Sequence, residues 1–97
     1  MISFQIISAV GTARSMYIEA IQEAKRGNFD GADVLIAEGA QVFIQGHHAH
    51  AGLIQKEANG EKSEYSLLFM HAEDLLMSAE AFKLLAEEFV ELYKRLG

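Results

Sequence analysis

The chain has 97 residues and no cysteine, so by size it is one domain, residues 1–97, and no disulfide can hold it together. A net charge of −6 argues against nucleic acid as a partner. No apolar run approaches the roughly eighteen residues of a membrane span, and the N-terminus lacks the basic region and cleavage pattern of a signal peptide. The hydrophobic share, 51%, is high for so small a domain and points to self-association. Zero proline suits long uninterrupted helices, and zero cysteine fits a reducing cytoplasm.

Three long segments appear, separated by two short polar breaks. The first runs from about Ile2 to Arg26. Ile6, Val10, Ala13, Tyr17, Ala20 and Ala24 step by four and three, the spacing of a helical seam. Lys25 and Arg26 sit where the helix end is negative, and Gly27 suits the left-handed position that stops it. Asn28 then reads as the N-cap of a second helix, with Asp30 in its first turn, running to about Ala58. Its seam is Ala32, Ile36, Gly39, Phe43, Gly46, His50 and Leu53. Gly39 and Gly46 each cost about 1 kcal/mol relative to alanine in a helix interior, which predicts close approach of a neighbouring helix there.

The break at Asn59-Gly60-Glu61-Lys62-Ser63 offers a stop at Gly60 and a cap at Ser63. The third helix is expected from about Glu64 to Arg95. Its cleanest seam is Leu68, Ala72, Leu75, Ala79, Phe82, Ala86, Phe89, Tyr93 and Leu96. A second seam, one residue earlier, holds Leu67, His71, Asp74, Ser78, Ala81, Leu85, Glu88 and Leu92. A partial third stripe is Phe69, Leu76 and Val90. Two partner helices cannot cover so many apolar faces, so the third helix is expected to meet other copies of the chain. The fold class is therefore all-α: an antiparallel, up-down-up three-helix bundle that self-associates.

The chemistry concentrates in Leu67-Leu68-Phe69-Met70-His71-Ala72-Glu73-Asp74-Leu75-Leu76-Met77, an apolar run broken by an imidazole and two carboxylates. Polar groups in such a run are costly unless something pairs with them. His71 and Asp74 are three apart and share a face, whereas Glu73 lies about 200° round from His71. His71 reads either as a core histidine with a hydrogen-bond partner or as a nucleophile or metal ligand. Asp74, bracketed by leucines and methionine, is more than a solvated charge if copies of the chain meet there. Converging carboxylates repel, and a divalent cation that prefers oxygen would relieve them. Glu73 is expected at the surface or at a groove. His47, His48 and His50 form a cluster that a zinc site could use only with a further ligand, such as His71. No phosphate-binding glycine loop, HExxH or GxSxG is present.

With His71-Ala72-Glu73-Asp74 in place, the chain resembles the IIA component of the lactose/cellobiose (N,N′-diacetylchitobiose) class of the phosphoenolpyruvate-dependent sugar phosphotransferase system. The likeness spans nearly the whole chain. It includes Ala13-Arg14-Ser15, Glu19-Ala20, Ala24-Lys25, Gly27-Asn28-Phe29, His47, Leu53 through Ala58, Gly60, Ser66-Leu67-Leu68, the run His71 to Met77, and Glu91-Leu92-Tyr93. The resemblance implies a cytoplasmic homotrimer, nine helices in all. It implies that His71 accepts a phosphoryl group from the phosphocarrier HPr and passes it to a cysteine of the IIB component. The membrane component IIC then serves only as an indirect partner. It also implies that Asp74 lies at the trimer axis, where three copies hold a divalent cation such as Mg²⁺.

The chain departs from that family pattern at three places: Glu73 stands where glutamine is usual, Leu75 where histidine or glutamine is usual, and His50 where glutamine is usual. An amide can donate to a phosphoryl oxygen, whereas a carboxylate repels it. Two other readings follow from the residues. One is a non-catalytic oligomerisation or regulatory module that keeps the fold. The other is a helical metal protein using His47, His50 and His71.

Overall fold

The computed structural model describes residues 2–60 and 67–97, apart from the side chains of residues 2, 3, 68 and 69. Three helices follow one another: α1 (Ile2–Lys25), α2 (Phe29–Ala58) and α3 (Leu67–Leu96). The expected Ser63 cap and the expected start of the third helix at Glu64 lie outside the described residues.

The turn between α1 and α2 forms as its sequence requires. Gly27 adopts φ +87°, the left-handed conformation that a side chain disfavours. The Gly27 N–H donates to the Ala24 carbonyl at 3.0 Å and the Asn28 N–H to the Glu23 carbonyl at 2.9 Å, closing the last carbonyls of α1. Asn28 then starts α2: its Oδ1 accepts from the Gly31 N–H at 3.1 Å. The Glu23 carboxylate accepts from the Asn28 amide at 2.8 Å and pairs with Arg26 at 2.7 Å, so the corner is held on both sides.

The core is a column of three apolar layers with α1 at its centre. Ile6 and Val10 meet Ala72, Leu76 and Ala79. Ala13 and Tyr17 meet Ala86. Ala20 and Ala24 meet Ala32 and Val90. Every α1 residue of the expected seam is buried. These pairings run α1 antiparallel to α2 and parallel to α3, the up-down-up order expected. The rod measures 53 × 20 × 17 Å.

Gly39 and Gly46 mark the close approach of α2 to α1. A Cβ on Gly39 would stand 2.7 Å from Cε1 of Tyr17, and one on Gly46 would stand 2.5 Å from Cγ2 of Val10. The propensity lost at each glycine is recovered as backbone contact with two of the largest buried side chains, Tyr17 and Val10. Phe43, between the glycines, packs beside both layers.

The third helix corrects its expected seam. Ala72, Ala79 and Ala86 are buried as expected, but Leu76 and Val90 are buried with them, while Phe89 and Leu96 are exposed. The buried stripe is therefore rotated toward the Leu76–Val90 side. The alanines explain the choice: they let α3 settle closely on α1, where the bulkier stripe would hold it off.

Tyr17 carries a hydroxyl with no hydrogen-bond partner among the described residues, although the side chain is fully buried. Burial first, and the Glu87 carboxylate second, push its phenol above the usual tyrosine range. The raised value means that the folded chain holds this proton more tightly than the unfolded one. The associated stability is complete below the ordinary phenol pKa of about 10 and is lost as pH climbs from there through the raised value. Tyr17→Phe removes an unpaired polar group, so stability at neutral pH should hold or rise by up to about 1 kcal/mol. Its alkaline loss should also be smaller than the parent's, as urea unfolding at neutral pH and above about pH 10 would measure.

Candidate functional site

His71 sits on α3 with its side chain exposed. Helical spacing places it on one ridge with Leu75, Ser78 and Phe82. The inner members of that ridge seat α3 on α1. Leu75 packs over Gly11, with its Cδ2 3.9 Å from where a Gly11 Cβ would lie. The Arg14 guanidinium stands 5.6 Å from the centre of the Phe82 ring. His71 is one turn before Leu75, at the rim where this packing gives way to solvent. An imidazole in that position can be reached by a docking protein while its backbone is held by a packed helix.

Asp74 is also exposed and lies on the outward face of α3. That face is apolar to an unusual degree: Leu67 is 86% exposed, Met77 68% and Leu96 73%, with Met70, Leu85 and Leu92 also exposed. Apolar exposure on this scale along one face of a small chain is characteristic of an interaction surface. Between α2 and α3, a groove of about 580 Å³ continues it, lined by Phe43, Ile44, Met77, Ala81 and Leu84 with Glu80 and Lys83.

Glu73 faces the other way, as its spacing predicts. It is half-buried at the junction with α2, where its Oε1 lies 3.7 Å from Nε2 of His50. His47, one turn earlier on α2, stacks on Phe43 with ring centroids 6.3 Å apart. Among the described residues, no three histidine, aspartate or glutamate side chains converge as a metal site would need. The reading as a His47–His50–His71 metal protein therefore finds no geometry: the three imidazoles serve a stacking contact, a carboxylate contact and an exposed rim.

A model of the lactose/cellobiose-specific IIA subunits of the phosphotransferase system matches residues 1–94. The chain belongs to that family. It is thus a phosphocarrier component of a sugar phosphotransferase system, and a phosphotransferase by reaction class. This IIA chain is 46% identical over 93 residues to the oligo-beta-mannoside-specific EIIA component of Bacillus subtilis, covering 96% of this chain and 84% of that one. Its fold is that of the cellobiose-specific enzyme IIA of Bacillus anthracis, with TM-score 0.96, 46% identity, and coverage of 98% and 87% of the two chains. It also matches the IIA(chitobiose) protein whose solution structure was determined in complex with HPr, with TM-score 0.85, 27% identity, and coverage of 98% and 92%.

His50 and Glu73, two of the three positions that the resemblance marks as unusual, lie 3.7 Å apart. Reading the residues one at a time does not reveal this. The available signal was the register: α2 runs antiparallel to α3, and His50 lies on the inward seam of α2. Among the described residues no helix is long and apolar enough to cross a membrane.

Proposed function

We propose that His71 is the phosphoryl acceptor of this IIA chain. A ring nitrogen of His71 attacks the phosphorus carried by phospho-HPr. A nitrogen–phosphorus bond forms as the bond from phosphorus to its donor breaks, and the donor atom leaves with the electron pair. In the second half-reaction a cysteine thiolate of the IIB component attacks the same phosphorus, and the His71 imidazole departs neutral. The phosphoryl group then goes to a β-linked disaccharide brought in by the membrane component IIC. Neutral imidazole is competent as both nucleophile and leaving group near pH 7. The protein's contribution is chiefly positioning, as in other phosphoryl transfers. The observation that carries this reading is the exposed His71 on a packed ridge of α3.

Assembly as a homotrimer through the outer face of α3 supplies what a single chain lacks, cover for Leu67, Met77, Leu85 and Leu92. Asp74 lies on that face, so three copies would converge on the axis. The donor set suits Mg²⁺: exposed carboxylate oxygens, one carboxylate from each copy. A cation held there would offset like charges at the axis, and no step of the transfer runs through it. Asp74→Leu should therefore keep the trimer or tighten it. Replacing buried charges by apolar contact is often stabilising, by about 1–4 kcal/mol. Sedimentation velocity across a dilution series would check this, and dissociation to monomers would place Asp74 away from the contact.

The alternative of a non-catalytic module leaned on Glu73, a carboxylate where an amide is usual. Glu73 faces His50 rather than His71, so the carboxylate is not presented directly to the phosphoryl group, which weakens that argument. Incubating the chain with phosphoenolpyruvate, the first enzyme of the system and HPr tests the proposal. An acid-labile phosphoryl adduct is expected, formed only when HPr is present. No adduct would favour the module.

A further inference from the structure

The seam between α2 and α3 is much sparser than the contacts either helix makes with α1. Among the described residues, two polar ties span it. Lys94 pairs with Asp33 at 3.1 Å at one end, and His50 meets Glu73 at 3.7 Å at the end that carries His71. The second distance is too long for a hydrogen bond, so the contact is one of charge and dipole. With the His50 side chain only 16% exposed and that of Glu73 45%, solvent screens it less than an open surface pair.

Glu73 is two residues from His71, on the same turn of α3. A phosphoryl group on His71 brings nearly two negative charges to that turn. Glu73 points to the other side of the helix, so its carboxylate acts on that group through space and not by contact, and left uncompensated it raises the energy of the phosphorylated chain and of the approach to it. We infer that His50 and Glu73 form a positioning pair for the phosphoryl acceptor: His50 offsets the Glu73 charge and ties the His71-bearing turn of α3 to α2. The inference rests on His71 being the acceptor. Neither residue touches the reacting atoms in this scheme. They act through the charge and the placement of the turn.

The test is a four-variant cycle on the full chain, with phospho-HPr as donor and rapid quench as readout. His50→Gln should slow phosphorylation about fivefold, mainly in kcat, and the loss should shrink at high salt. Glu73→Gln should speed it by about twofold, and the double variant should run at least as fast as the parent, whereas simply additive effects would leave it about 2.5-fold slower. His50→Lys, which places a cation beside the carboxylate, should recover most of the rate and serves in place of His50→Gln if that variant does not fold. Effects that simply add, or a loss in His50→Gln that Glu73→Gln does not relieve, would overturn the pair while leaving His71 as acceptor. No adduct on the parent chain would overturn the acceptor and the pair together.

Discussion

His71→Gln should abolish the phosphoryl adduct and leave the fold intact. The two expectations have separate physical grounds. Glutamine reaches about as far as histidine, but its amide nitrogen lone pair is delocalised into the carbonyl and cannot attack phosphorus. Loss of signal should therefore be complete rather than graded. Stability should change by no more than about 0.5 kcal/mol, because His71 is exposed and carries none of the core. A melting curve beside the phosphorylation assay separates lost chemistry from lost structure. His48→Gln is the control: that imidazole is exposed on α2 and takes no part in the proposed transfer, so the adduct should form as in the parent. An adduct on His71→Gln at the parent level would move the acceptor elsewhere.

Gly46→Leu should cost about 3 kcal/mol or more and leave little folded chain. The new Cβ alone would stand 2.5 Å from Cγ2 of Val10, with the Ala9 Cβ and the Ile6 carbonyl oxygen each 3.6 Å away. Val10 is fully buried and β-branched, so it has neither space nor a second good rotamer to retreat into. Helix propensity gained at the site, about 1 kcal/mol, is too small to offset the clash. Gly52 lies on the same helix with nothing within 4 Å of an added Cβ. Gly52→Ala should accordingly stabilise the chain by about 0.5–1 kcal/mol. Urea unfolding of the pair reads both signs in one experiment. A tolerated Gly46→Leu would mean that α1 and α2 are not closely apposed there.

Sequence revealed the seams of α1 and α2 because each has one dominant apolar stripe: α1 buries its stripe between α2 and α3, and α2 buries its own mainly against α1. Ile6 through Ala24 and Ala32 through Leu53 are legible for that reason, and so are Gly27 and Asn28, whose backbone roles few other residues can fill. The third helix is different. Its N-terminal half is apolar nearly all round, so several stripes satisfy the helical period equally well. The stripe that is buried is decided by how closely α1 can approach, and Leu76 and Val90 join the alanines while Phe89 and Leu96 turn outward. The excess apolar surface still carried information. In the proposed trimer, that surface is what the other copies of the chain would cover.

The site divides the same way. His71 and Asp74 are conspicuous because an imidazole and a carboxylate interrupt an apolar run. The His50–Glu73 contact joins residues 23 apart in sequence across the sparsest helix pair, and no local pattern encodes it. It becomes visible only when the register of α2 against α3 is known.

Four imidazoles are available on this chain, at 47, 48, 50 and 71. Mapping the acid-labile phosphoryl group by tandem mass spectrometry, on chain phosphorylated through HPr and digested under alkaline conditions, distinguishes among them directly. The phosphoryl group should reside on the peptide containing His71 and on none containing His47, His48 or His50. Its recovery on the α2 cluster with His71 unmodified would contradict the assignment.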